Sequence, residues 1–490
     1  MRGKDARPFT ADGEKGMLGQ RLEVRRVRAE SKKTIVERFA RHINRGQVDY
    51  LRAGHLDVIE SERRGASFVD LFSHRAMLDC FTSAGCFNVG RGNVRIRAAL
   101  RDGLQQYGMG EPGDESPPKL ALRRRLSELA PGDLDGVLLA AGGGDAIDMA
   151  IKLARAVTGR PQIISTHLAY HGHTGFALSA NGKAHYREYA EPLMPGFSFV
   201  PFNDLSAMRR VAGQNTAAIL VEPVQGEAGI FVGTPDYLHG LRQLSDELGC
   251  LLIFDEIQSG FGRTGQFFAC EHSGVVPDVM TVAKSMGGGL YPNAALLYRE
   301  LPAVVDFLAT NPDFHPTTGG ADLGCIVSLA VIDTILEEGL CGRAATLGET
   351  LRGALDELRA TYPRIIKEVR GLGLMVGIEY IHEFLGPMMS DALARHGVFA
   401  AYSGNAPQVM RFMPPPAMTD ADMERLLAAV RGSVADMQTL LPVALPVARI
   451  PVLKKLLNDE RVQTRLFGAL RTTEDLLARL PRAFRRWGKP

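Results

Sequence analysis

Charge of one sign is missing from this chain. Its 57 Lys+Arg residues face 55 Asp+Glu, a formal net charge of +2. That balance gives no global electrostatic reason to expect nucleic acid or a membrane surface as a partner. Paired cysteines are missing too. Cys80, Cys86, Cys250, Cys270, Cys325 and Cys341 are scattered without CxxC spacing, so no disulfide framework is expected and a reduced cytoplasm fits. No apolar run approaches the ~20 residues that span a bilayer. Arg2, Lys4 and Arg7 precede no apolar segment of the kind a secretory signal carries. What remains is ordinary globular composition, 45% hydrophobic and 23% charged over 490 residues, enough for two or three domains.

Residues 1–67 read as a solvated N-terminal extension with one or two helices; its strings Arg25-Arg26-Val27-Arg28 and Lys32-Lys33 leave a basic docking patch as the alternative. From 68 to 300, apolar β-rich runs alternate with helical patterns. The runs are Gly136–Ala141, Gln162–Ser165, Ala217–Val221 and Leu251–Phe254. One helix is marked at both ends: Thr234 as N-cap, Pro235 in the first turn, Tyr237, Leu241, Leu244 and Leu248 on one face, and Gly249 as terminator. Strand–helix alternation predicts an α/β large domain with a mostly parallel sheet. Residues 301–440 read as a smaller α+β domain. It would hold a glycine-rich strand at Gly371–Ile378, a strand at Val409–Met413, and a last helix capped by Thr419. The tail, 441–490, reads as a basic amphipathic extension.

The chemistry concentrates around two residues. Asp255 closes the apolar run Leu251–Phe254, and ligands of open α/β sheets gather at the carboxyl ends of strands. A carboxylate there can hold a pyridinium nitrogen protonated, with Gln258 placed for a ring hydroxyl. Lys284 follows the apolar Val279–Ala283 and precedes Gly287-Gly288-Gly289, where backbone can approach closely. Such a lysine can condense with an aldehyde cofactor. Gly142-Gly143-Gly144 enters a helical pattern from Asp145, a ready anion site of backbone N–H groups.

Asp255-Glu256-Ile257-Gln258 with Gly260-Phe261-Gly262-Arg263-Thr264-Gly265, and Lys284 one βα step later, resemble the class III aminotransferases. These are fold type I enzymes dependent on pyridoxal 5′-phosphate (PLP). The likeness runs over roughly residues 80–440. It implies that Lys284 and Asp255 are catalytic and that Gly143 and Gly144 cradle the phosphate. In this chain that loop lacks the family's two hydroxyls and carries a shorter acid. It further implies that Tyr170 stacks on the ring beside His171, that Glu222 lies near the cofactor, and that Thr317, in His315-Pro316-Thr317-Thr318-Gly319-Gly320, reaches the phosphate of a neighbouring subunit. A homodimer with composite sites follows. Glu227 resembles the family's gate acid and Arg411 the arginine that takes a substrate α-carboxylate. The string Phe268-Ala269-Cys270-Glu271-His272 is similar to diamine aminotransferases, whereas Tyr107–Asp114 is unfamiliar. The resemblance implies transfer of an amino group between an ω-amine or amino acid and a 2-oxo acid, 2-oxoglutarate foremost. A decarboxylase, racemase or aminomutase of the same fold, and a non-catalytic partner protein, stay open at this point. No metal site is expected.

Overall fold

A computed structural model describes residues 30–448 except 54–55 and 111–114. The Arg25–Arg28 string, the end of the 107–114 stretch and the extension beyond 448 lie outside the described residues. Up to residue 59 the chain forms the helices Lys32–His42, capped by the Ser31 hydroxyl, and Arg45–Ala53, around Val36, Ala40 and Val48. Residues 60–447 form one compact unit.

A seven-stranded sheet lies at the centre of that unit. In chain order its strands are β1 Gly136–Ala140, β2 Gln162–Thr166, β3 Phe197–Val200, β4 Thr216–Val221, β5 Leu251–Asp255, β6 Val279–Val282 and β7 Ala294–Tyr298. Their spatial order is β1-β7-β6-β5-β4-β2-β3. All run parallel except β7, which pairs antiparallel with β6 and β1. Every residue of β4 and β5 is buried, as continuous apolar runs between two helical layers must be. Side chains alternate between two cores. Leu251 and Ile253 face the helix Gly143–Thr158, while Leu252 and Phe254 share the other core with Leu241, Leu244 and Val331. The helix Pro235–Leu248 starts at Thr234, whose hydroxyl accepts from Tyr237 N–H, and stops at Gly249 with φ +59°, as the sequence pattern predicts.

Beyond β7, the helices Asp322–Glu337 and Leu340–Thr361 lead to a four-stranded antiparallel sheet. Here the structure differs from the single strand expected at Gly371–Ile378. That stretch is a hairpin, Ile366–Leu372 with Met375–Tyr380, closed where Leu372 pairs with Met375. Gly373 takes φ +54°, and a Cβ there would sit 2.4 Å from the Thr264 carbonyl carbon, so the glycine makes the turn. Val409–Phe412 is the next strand, as expected, and Ala401–Tyr402 forms the edge. Thr419 then exchanges hydrogen bonds with Asp422 at the start of Asp420–Ala448, a capping arrangement.

The sheet positions the chemistry. Gly142 follows β1, Tyr170 lies beyond β2, Glu222 follows β4, Asp255 ends β5 and Lys284 follows β6. All lie at the carboxyl ends of parallel strands.

Candidate active site

These strand ends surround a cavity of about 550 Å³. One wall is the start of the helix Gly143–Thr158, whose N-cap Gly142 offers no side-chain acceptor. Helix starts leave backbone N–H groups without intrahelical partners, which favours an anion. The triplet is tightly packed. A Cβ on Gly143 would lie 3.0 Å from Ile257, and one on Gly144 2.9 Å from the Thr174 hydroxyl. Asp145 does not face an anion. Its carboxylate accepts from Ala141 N–H at 2.9 Å and fixes the loop.

Three buried side chains form the floor. Asp255 Oδ2 lies 2.8 Å from His171 Nδ1, and its Oδ1 accepts from Ile257 N–H at 3.0 Å. His171 Nε2 lies 3.3 Å from Ser165 Oγ. Glu222 spans two loops, accepting from Tyr170 N–H at 3.2 Å and Gly226 N–H at 3.1 Å. Burial pushes Glu222 up to about 7, with His171 opposing and Asp255 adding to the rise. Tyr170 lines the cavity and meets His173 and Tyr186 edge-on at 5.6 and 5.5 Å. Burial and then the Glu227 charge push its phenol up to about 12.

Lys284 lines the same cavity at the start of a short 3₁₀ turn. Its φ of +47° lies in the left-handed region that non-glycine residues avoid, the kind of strain that collects at functional positions. Gln258 donates to Ala84 O at 3.2 Å, while its buried Oε1 has no hydrogen-bond partner. A Cβ on Gly226 would fall 1.6 Å from that oxygen, so glycine at 226 keeps the amide's place.

Glu227 lines the cavity and its Oε1 pairs with Arg411 Nη1. Arg411 sits behind it in Val409–Phe412, 3% exposed, with its guanidinium 5.5 Å from the Phe81 ring and Nε without an acceptor. Burial alone would raise the Glu227 pKa, but the Arg411 charge and hydrogen bond prevail and hold it below the ordinary value. Thr317 is apart from these residues. It lies exposed on its loop and does not line this cavity.

Other lining residues escaped the sequence reading: Ser83, Cys86, Phe87, Tyr291 and Asn293. Ser83 belongs to a left-handed turn in which Thr82, Ser83 and Ala84 have φ of +53°, +49° and +58°. Asp79 Oδ1 holds it by accepting from the N–H of Phe81 at 3.1 Å and of Thr82 at 2.7 Å. No glycine marks this turn, and Asp79 is its only local cue.

The family model for class III aminotransferases matches residues 52–433. The chain belongs to that family. An uncharacterized aminotransferase of Archaeoglobus fulgidus is 37% identical over 411 residues, which cover 84% of this chain and 95% of that protein. Among solved structures, an ornithine aminotransferase of Toxoplasma gondii with partial occupancy of PLP at its active site matches with a TM-score of 0.73. It is 29% identical, over 78% of this chain and 91% of that one. An (S)-enantioselective ω-transaminase of Thermomicrobium roseum matches with a TM-score of 0.72 at 29% identity, over 77% and 92%. The chain is therefore a PLP-dependent aminotransferase of fold type I. Its residues fit that cofactor. The orphan acceptor on Gln258 suits a ring hydroxyl, the Asp255 carboxylate suits a ring nitrogen, and the glycine-lined helix start suits a phosphate.

Proposed function

We propose that this aminotransferase moves an amino group between an ω-amine or amino acid and a 2-oxo acid, with 2-oxoglutarate as acceptor. It would act as a cytoplasmic homodimer, Thr317 of each protomer completing the neighbouring phosphate site. Residues 68–300 would bind the cofactor and 301–440 would form the smaller domain. PLP, when bound, supplies the electron sink that lets a C–H bond beside the amino nitrogen ionise. Lys284 Nζ would then be the base that takes this proton and returns it on the far side of the amino nitrogen, two atoms away. Asp255 keeps the ring nitrogen protonated, Gln258 meets the ring hydroxyl, Tyr170 covers the ring, His171 and Glu222 fix the floor, and Gly143 and Gly144 receive the phosphate.

The observation that carries the substrate reading is the ion pair of Glu227 with the buried Arg411 at the cavity wall. With Glu227 across it, Arg411 is masked and an amine without an α-carboxylate enters. With Glu227 swung aside, the guanidinium receives the α-carboxylate of glutamate or 2-oxoglutarate in a two-point contact. The test compares half-reactions. Arg411→Ala should raise KM for 2-oxoglutarate by about 2–3 kcal/mol of binding and change the half-reaction of a carboxylate-free amine far less. Equal slowing of both halves would make Arg411 structural and remove the switch.

A further inference from the structure

Glu227 is held by more than Arg411. Its second carboxylate oxygen accepts from Gly404 N–H at 3.3 Å. Its backbone carbonyl accepts from the Ser403 hydroxyl and from Asn405 N–H, the latter at 3.3 Å. All three donors belong to the loop after the edge strand Ala401–Tyr402. This loop is braced from its far side. Lys183 Nζ donates to Gly404 O at 2.8 Å, and Asn405 Nδ2 donates to Leu168 O at 2.8 Å. Gly404 fits closely between the two sides: a Cβ there would lie 3.2 Å from Tyr186 Oη and 3.4 Å from Glu227 Oε2.

The carbonyl that Lys183 holds and the N–H that Asn405 gives to the main-chain carbonyl of Glu227 belong to the same peptide unit, Gly404–Asn405, and Gly404 itself gives its N–H to the Glu227 carboxylate. A cation at the oxygen of a peptide polarises it and strengthens its N–H as a donor. Lys183 thus fixes Gly404, the residue whose N–H holds Glu227 Oε2, without touching the cavity. We propose that Lys183 is a positioning residue that latches Glu227 over Arg411 and so sets the selectivity between carboxylate-free amines and α-carboxylate substrates. This rests on the switch reading above.

The closed arrangement dominates at rest, so loosening Gly404, the donor to Glu227 Oε2, by removing its bond to Lys183 enlarges the small open fraction that a 2-oxo acid needs. Its apparent affinity rises in proportion, while the closed fraction, already near unity, hardly changes. Lys183→Met in the PLP-loaded enzyme should lower KM for 2-oxoglutarate roughly threefold to tenfold, with KM for a carboxylate-free amine and both limiting rates near wild type. Lys183→Arg should restore the wild-type KM, and Lys183→Gln should repeat the methionine result in case that variant folds poorly. On a Glu227→Ala background the Lys183→Met change should have no further effect. If Glu227→Ala lowers the 2-oxoglutarate KM but Lys183→Met matches wild type, the latch is wrong and the switch stands. If Lys183→Met acts equally with and without Glu227, the latch is likewise wrong. If Glu227→Ala itself leaves selectivity unchanged, the switch falls and takes the latch with it.

Discussion

His171 Nδ1 stands 2.8 Å from Asp255 Oδ2, and the far ring nitrogen is 3.3 Å from Ser165 Oγ. His171 is 2% exposed and Asp255 4%. His171 thus orients one carboxylate oxygen while Ile257 N–H holds the other. Asp255→Ala removes the acid and strands a buried imidazole. The expected loss is about 3 kcal/mol or more of transition-state stabilisation, roughly a hundredfold in single-turnover rate at saturating cofactor. Some cofactor should remain bound. A near wild-type rate with an unchanged absorption spectrum would overturn the role given to Asp255.

Lys284→Ala should abolish turnover and covalent attachment of the cofactor to the chain. Borohydride reduction followed by mass measurement reads this directly. Among the described residues no other lysine lines the cavity. A reduced cofactor adduct on the variant would place the reactive amine elsewhere.

Thr317 is exposed and away from its own cavity, which is where a residue given to a neighbouring subunit would lie. Thr317→Ala should weaken PLP retention on dialysis. Mixing inactive Lys284→Ala chains with Thr317→Ala chains should assemble dimers with one intact site and recover part of the activity. No recovery on exchange, or an active monomer, would argue against composite sites.

Glu222 links pH to stability. Burial raises its pKa from the ordinary 4.5 to about 7 in the folded chain. The folded protein therefore keeps a proton that the unfolded chain releases. The stabilisation is complete below about pH 4.5, declines as pH rises and is gone above about pH 7. Urea midpoints of the cofactor-free protein should show wild type losing ground to Glu222→Gln across this window, by on the order of 1–3 kcal/mol. A wild-type-minus-variant difference that is flat with pH would show that folding does not raise the Glu222 pKa.

Where local chemistry decided the structure, the sequence was readable. Thr234 and Gly249 bound their helix because a hydroxyl acceptor and a left-handed glycine act within one turn. Leu251–Asp255 and Thr216–Val221 were visible as unbroken apolar runs because both faces of the strands are covered. The hairpin at Gly373 is not legible because Gly371, Gly373 and Gly377 all interrupt one apolar run, and nothing in the run marks which of them turns the chain. The strand Ala294–Tyr298, five residues of Ala-Ala-Leu-Leu-Tyr, has no periodicity that separates strand from helix. The left-handed turn at Thr82–Ala84 depends on Asp79 and on Thr82 Oγ1 donating to Met413 O at 2.8 Å, and the second partner is met only after folding. Glu227 and Arg411 lie in distant segments, and only the family resemblance suggested that they meet. Lys183 and the Ser403–Asn405 loop gave no signal at all.

The pairing of β1 with β7, from Ala140 opposite Ala294 to Gly136 opposite Tyr298, has a consequence for synthesis of the protein. The glycine wall of the cavity emerges from the ribosome early, but it is joined to the lysine-bearing strand only through a neighbour made long afterwards. A nascent chain released before about residue 300 would have the helix Gly143–Thr158 and Asp255 without the strand that closes β6 onto β1. Non-local strand pairs of this kind form late and slowly. Cofactor capture should therefore follow completion of the sheet rather than guide its early assembly.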